Sequence, residues 1–166
     1  MKQKQDLILD IFSECAFSNL QIITVESCTG GLVAAELTKI SGSSKYFDTG
    51  YVTYSNQSKI NLIKVPQNII EKFGAVSAEV VSAMAKNVID HDQKTNRVSI
   101  AVSGVAGPEK SENKPIGLVW LACYQNQTLT TRKLTFGNLG RNEIRQKSVS
   151  EALKLLHSCI IEKTNN

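Results

Sequence analysis

The sequence predicts an α/β protein: a layered α/β/α domain with a mixed, largely parallel sheet and helices on both faces. Helical and strand periodicities alternate through the first two thirds of the chain. Two β-rich runs joined by a short polar turn follow late, as a hairpin requires. The early strand segments are nearly all apolar, which suits strands covered on both sides. At 166 residues the chain is long enough for one domain, 1–166, with its own core and no need of disulfides or metal to fold.

Leu7, Ile8, Ile11, Phe12 and Cys15 recur at helical spacing and predict an amphipathic N-terminal helix. The β-branched run from Ile22 to Val25 predicts a buried strand, and Leu32, Val33, Leu37 and Ile40 a helix after it. Ser41-Gly42-Ser43-Ser44 reads as a loop and Phe47 to Thr53 as a second strand. A helix opens near Ser55, carries Ile60, Leu62 and Ile63, and stops before Pro66. Ser77 caps a further helix with Val80, Val81, Met84, Ala85 and Val88 facing inward and Glu79 in its first turn. Val98 to Val102 is a short apolar strand. Residues 116–124 and 128–135 form the hairpin, and 142–161 a final helix burying Ile144, Ala152, Leu155, Leu156 and Cys159. Lys163 to Asn166 reads as a frayed tail.

Composition narrows the function classes. The net charge of +4 is mild and the lysines are scattered, so nothing favours a nucleic-acid partner. No apolar run reaches the length of a membrane span, and the polar start Met1-Lys2-Gln3-Lys4-Gln5 reads as no targeting segment. Cys15, Cys28, Cys123 and Cys159 show no metal-ligand spacing and only two histidines accompany them, which argues against a zinc site. Free thiols in a reducing cytoplasm are the expectation.

Three loops follow apolar strands, after Val25, Thr53 and Val102, where open α/β sheets bind ligands. The first, Glu26-Ser27-Cys28-Thr29-Gly30-Gly31, places Ser27 between a strand and a helix N-terminus, beside free N–H groups suited to an anion. Two readings stand: a nucleophile, or simple capping of the helix by Ser27 or Thr29, the commoner outcome. In the second loop, Lys59 falls in the first turns of a helix. The dipole and partial burial both disfavour its ammonium form there, so it is a candidate base, with Tyr54 to hand on a proton or fix orientation. A solvated surface lysine is the alternative.

The third loop, 103–108, offers Gly104 and Gly107 as a possible anion nest or a plain turn. Neither a Walker A loop nor a dinucleotide fingerprint is present. His91, at a helix C-terminus, and His157, on the last helix, are not placed near Ser27 by sequence. Arg141 and Arg145 share a helix face and suit a phosphate or carboxylate, or are plain surface charges.

Together these segments resemble the CinA C-terminal domain family, whose enzymes are nicotinamide mononucleotide deamidases of the PncC type. The resemblance rests on residues 24–32 (T-V-E-S-C-T-G-G-L), on Gly50-Tyr51-Val52-Thr53-Tyr54-Ser55-Asn56 with Lys59, on Gly74-Ala75-Val76-Ser77, on residues 101–108 (A-V-S-G-V-A-G-P) and on Lys114-Pro115-Ile116-Gly117. It runs from about residue 5 to 160 and matches the stand-alone form, without the molybdopterin-binding-like domain of longer relatives.

The resemblance implies hydrolysis of the carboxamide of nicotinamide mononucleotide to nicotinic acid mononucleotide and ammonia, in pyridine nucleotide recycling, with no cofactor or metal. It implies Ser27 as nucleophile, Lys59 as its base and Tyr54 assisting, with backbone N–H groups at Cys28 to Gly30 for the oxyanion. Substrate contacts are implied at Cys28, Thr29, Gly30, Gly31, Ser55, Asn56, Ser103, Gly104, Ala106, Gly107 and Arg141, the last through phosphate. The implied partners are a pyridine mononucleotide and further copies of the chain, with neither nucleic acid nor membrane.

One departure stands out. After Gly-Pro, relatives carry several glycines, whereas this chain has Glu109-Lys110-Ser111-Glu112-Asn113 and is slightly shorter. If that loop cradles phosphate, Glu109 brings a negative charge to it, with Lys110 as a candidate offset. That substitution keeps open a non-catalytic nucleotide-sensing or interaction module. A related pyridine nucleotide or another small amide is a third possibility.

Overall fold

The structure, a computed structural model, describes residues 4–90 and 96–164. The elements run α1 (Lys4–Ser18), β1 (Gln21–Glu26), α2 (Leu32–Thr38), β2 (Phe47–Val52), α3 (Asn56–Ile63), α4 (Gln67–Phe73), α5 (Ala78–Asp90), β3 (Arg97–Gly104), β4 (Leu118–Gln125), β5 (Thr128–Thr135) and α6 (Arg141–Thr164). The strands form one sheet in the order β2-β1-β3-β4-β5.

Alternation along each strand assigns the helices to the two faces. Ile22, Val98, Ile100, Val102, Leu121 and Cys123 face α1, α2 and α6, where Ile11, Phe12, Leu37, Ile144, Leu153 and Leu156 meet them. Their neighbours Ile23, Val25, Ala101, Ala122 and Tyr124 face α3, α4 and α5, against Ile63, Ile70, Val80, Met84 and Val88. Burying each such aliphatic side chain is worth roughly 1.5–3 kcal/mol, so both sheet faces hold their loops on a rigid platform.

The expectation of a largely parallel sheet is corrected at the level of pairing. β1 pairs in parallel with β2 and β3, but β3–β4 and β4–β5 are antiparallel, an even division. The hairpin causes it: Asn126 and Gln127, both at positive φ (47° and 62°), make the tight two-residue turn that joins twisted antiparallel strands. Strand direction is less divided. Only β4 runs against the others, so β1, β2, β3 and β5 all end at the same edge.

Helix α4 is an element that periodicity alone does not predict. It has seven residues between an N-cap at Pro66 and a C-cap at Gly74 (φ 75°), and buries only Ile70. The proline-then-glycine punctuation was its available signal. Elsewhere expected and observed elements agree within a few residues; Ser77, for example, caps α5 by accepting from Val80 N–H at 3.2 Å. His91 lies outside the described residues. Helix α6 continues to Thr164, into the expected tail.

The helix after β1 and the helices after β2 lie on opposite faces of the sheet. Their connecting loops therefore diverge at the carboxyl edge of the strands, and a crevice opens between them.

Candidate active site

The crevice is a cavity of about 300 Å³ lined by six segments of the chain. Ser27 and Cys28 enter from the loop after β1, and Tyr54, Ser55, Asn56 and Lys59 from the start of α3. Ser103, Gly104, Ala106 and Gly107 come from the end of β3, and Arg141 from the first residue of α6. The loop before β4 adds Glu109, Ser111 and Glu112, and the segment before α5 adds Ala75 and Val76.

Lys59 is the decisive residue. Ser55 caps α3 by accepting from Ser58 N–H at 3.0 Å, which sets the helix start and places Lys59 one turn in. Side chains of a helix lean towards its N-terminus. Lys59 Nζ accordingly reaches back to donate to the carbonyls of Thr53 (2.9 Å) and Tyr54 (3.4 Å), and lies 3.2 Å from Ser27 Oγ. The side chain is 1% exposed. Burial lowers its pKa to about 8, with Cys28 and Glu112 pulling the other way.

This geometry accommodates both protonation states, an ammonium donating to all three oxygens and a neutral amine turning its lone pair to Ser27. A neutral amine has two N–H donors and one lone pair. With the two carbonyls taking the donors, the lone pair is left for the Ser27 hydroxyl. The environment thus turns an ordinary lysine into a base directed at one oxygen.

The loop carrying Ser27 is held by a carboxylate that no local sequence pattern marks. Glu26, 1% exposed, accepts from the N–H groups of Gly31 (3.0 Å), Val33 (3.1 Å) and Ala34 (2.9 Å). It satisfies the orphan donors at the start of α2, where Gly31 is the N-cap and supplies no side chain. Neither Ser27 nor Thr29 caps the helix; Thr29 Oγ1 takes no hydrogen bond among the described residues. From the far side Arg145 clamps the loop, donating to the carbonyls of Cys28 (3.1 Å) and Thr29 (2.9 Å). The two arginines of α6 therefore separate in role: Arg145 is structural and Arg141 faces the cavity.

Several expected contacts move. Thr29, Gly30 and Gly31 do not line the cavity. The chain turns away after Cys28, with Gly30 N–H on the Ser27 carbonyl (3.0 Å) and Gly31 N–H on Glu26. Their role is the turn itself, with both glycines at positive φ (61° and 93°). Cys28 N–H lies against its own thiol, donates to no backbone carbonyl among the described residues and remains a candidate oxyanion donor. Tyr54 also departs from expectation. Its hydroxyl receives Arg141 Nη2 at 2.9 Å, while its main-chain carbonyl is what Lys59 touches.

The other residues sit at the wall. Ser103 Oγ donates to the Ala75 carbonyl at 2.7 Å, tying β3 to the segment before α5. Gly104 allows the close approach of that strand end: a Cβ there would lie 2.6 Å from Val119 Cγ2 and 3.1 Å from Cys28 Sγ. Arg141 Nη1 donates to the Gly107 carbonyl at 2.7 Å, leaving further guanidinium donors uncommitted at the rim. Glu109 lines the cavity and Lys110 does not, so the offset considered for Lys110 is absent from the wall. His157 is half-buried on α6 and does not line the cavity.

Residues 4–160 match the CinA C-terminal domain family. The chain belongs to that family. Among its relatives, a CinA-like protein of Colwellia psychrerythraea is 55% identical over 105 residues, which are 63% of this chain and 24% of that protein. The chain thus spans about a quarter of that relative's length. The nicotinamide-nucleotide amidohydrolase PncC of Pseudomonas putida is 42% identical over 136 residues, 81% of this chain and 83% of that protein. In structure, the competence/damage inducible protein CihA of Agrobacterium tumefaciens superposes with a TM-score of 0.87 at 35% identity, covering 95% of this chain and 98% of that one. The CinA C-terminal domain therefore accounts for the whole α/β/α architecture and the crevice at its strand ends.

No described helix is long and apolar enough to cross a membrane, and no metal-binding group of His, Cys, Asp and Glu occurs among the described residues. The four cysteines are free and buried.

Proposed function

We propose that this chain is an amidohydrolase that hydrolyses the carboxamide of nicotinamide mononucleotide, with Ser27 as nucleophile and Lys59 as base. The observation that carries the reading is Lys59 Nζ, buried, held by two carbonyls and 3.2 Å from Ser27 Oγ. The substrate comes from the relative of Pseudomonas putida named for that activity.

In the proposed reaction Lys59 takes the Ser27 proton as Oγ attacks the carboxamide carbon. The oxyanion of the tetrahedral intermediate is met by Cys28 N–H. Lys59 returns the proton to the leaving nitrogen, ammonia departs, and an ester on Ser27 remains. Water, deprotonated by Lys59, then attacks the ester, Ser27 regains that proton from Lys59, and the acid product leaves and ionises by giving its proton to solvent. Arg141 binds the phosphate at the mouth, and Tyr54 holds Arg141 in place. Such a reaction would serve the recycling of pyridine nucleotides.

The test is ammonia release from nicotinamide mononucleotide by the purified chain. Because burial lowers the Lys59 pKa, the free base appears as pH rises, and kcat/KM is expected to climb through about pH 8 before levelling. A flat profile from pH 6 to 9 would remove Lys59 from its role.

One observation favours a second reading, a non-catalytic nucleotide-sensing module. Glu109, two residues after the carbonyl that anchors Arg141, puts a carboxylate in the cavity wall where phosphate would bind. Saturable binding of the mononucleotide without turnover would support it. If Glu109 merely weakens phosphate binding, Glu109→Gln is expected to tighten binding of nicotinic acid mononucleotide by about two- to fivefold, read by calorimetry.

A further inference from the structure

We propose that Glu112 is the counter-ion for a cationic ring bound at the Ser27 end of the cavity, so that the site selects N-substituted pyridinium carboxamides over their neutral counterparts. This rests on the amidase reading and specifies the substrate class within it.

In a pyridinium mononucleotide the ring nitrogen carries the ribose and the ring bears a formal positive charge. The carboxamide is attached directly to that ring. With its carbon at Ser27 Oγ, the charge must lie within a few ångströms of the nucleophile, and the wall there decides whether the ring is welcome. Lys59 is the cation of that wall and Glu109 and Glu112 are its carboxylates; Glu112 is the one tied, through Ala75 and Ser103, to the strand end whose Val102 carbonyl accepts from Ser27 N–H.

Glu112 is fixed rather than loosely present. It shares with Asn113 a turn with both residues at positive φ (51° and 59°), closed by Lys114 N–H on the Ser111 carbonyl at 2.8 Å. Its Oε2 accepts from Ala75 N–H at 2.7 Å, and Ala75 is in turn tied to β3 by Ser103. Oε1 takes no hydrogen bond among the described residues, so one oxygen remains for a ligand.

Lys114 lies 3.9 Å from Oε2, but its ammonium is spent on the carbonyls of Phe73 and Val76, each at 2.6 Å, and it does not line this cavity. It offsets only part of the charge. A neutral amide would satisfy Ala75 N–H equally well, and the Lys114 ammonium keeps its two carbonyl acceptors without Glu112, so the loop's hydrogen bonds survive loss of the charge. The cavity therefore presents a carboxylate by the reacting end and the Arg141 guanidinium at the mouth, matching a ligand with a cationic ring and an anionic phosphate.

The experiment measures binding by calorimetry in the Ser27→Ala protein at about pH 9, where Lys59 is mostly neutral. The probes are nicotinamide mononucleotide and its dihydro form, which differ in ring charge but share carboxamide, ribose and phosphate. The oxidised form is expected to bind about two- to fivefold tighter, the range for a half-exposed ion pair. Glu112→Gln is expected to bring the ratio close to one while leaving affinity for the dihydro form unchanged. Equal binding of the two probes before that substitution would overturn the proposal, whether or not the Glu112→Gln protein folds. So would a preference that survives Glu112→Gln. Wild-type turnover distinguishes the two failures: absent turnover refutes the amidase reading, whereas turnover with equal binding refutes only the role of Glu112.

Discussion

Ammonia release from nicotinamide mononucleotide is expected to fall at least about a thousandfold in Ser27→Ala and by a similar factor in Lys59→Met, because nucleophile and base act as a unit. The double variant should be no worse than either single one, and non-additivity of that kind is the signature to seek. Lys59→Arg is expected not to rescue, since a guanidinium stays charged and has no lone pair to offer Ser27. Substantial turnover in any of these proteins would exclude the proposed pair.

Stability measurements separate lost chemistry from lost fold. The Lys59 pKa is lowered from 10.5 to about 8 on folding, so at neutral pH the folded protein carries a buried cation at a cost. That cost is fully present below about pH 8 and disappears as pH rises towards 10.5, where the lysine is neutral in folded and unfolded states alike. Lys59→Met should therefore gain about 3 kcal/mol at pH 7 from removal of the cation, offset by about 1–2 kcal/mol for the two carbonyls left without a donor, so that a net gain at pH 7 becomes a loss above about pH 11. A variant that is more stable and inactive is hard to explain unless the lysine is kept for chemistry.

Much of this was legible in the sequence, and what was not has a physical explanation. Helix α5 announced itself because Ser77 and the spacing of Val80, Val81, Met84 and Val88 are local features. Helix α4 did not, since seven residues with one buried side chain carry too little periodicity. Ser27 and Lys59 could be named from their motifs, but the depth of burial that tunes Lys59 depends on β1, α3 and the 109–114 loop converging. No local pattern encodes that.

Motif matching also could not separate residues that line a cavity from residues that bend the chain towards it. Gly30 and Gly31 belong to the second kind, as does Thr29. Cys28, in the same motif, belongs to the first. Arg141 and Arg145 stand four apart on one helix face, yet one meets the cavity and the other a pair of carbonyls. Glu26 was hidden for a different reason. It ends an apolar strand, and an acidic residue there reads as the polar edge of a loop.

Glu26→Ala is expected to destabilise the protein by about 3 kcal/mol, more than loss of an ordinary helix cap, which costs roughly 0.5–2 kcal/mol. An N-cap side chain usually satisfies one donor, whereas the Glu26 carboxylate takes three, in surroundings that admit almost no water. Its removal strands those donors at the positive end of α2, where the loop that carries Ser27 joins the helix. Glu26→Gln preserves volume but turns one acceptor into a donor facing N–H groups, so it should recover only part of the loss. Urea unfolding of the three proteins at pH 7 would measure the series. The activity of the Gln variant would then show whether the carboxylate also sets the position of Ser27: a folded Glu26→Gln protein with kcat reduced and KM unchanged would mean that it does. Full stability in Glu26→Ala would mean that the start of α2 finds other partners, and that Glu26 is not what holds the nucleophile's loop.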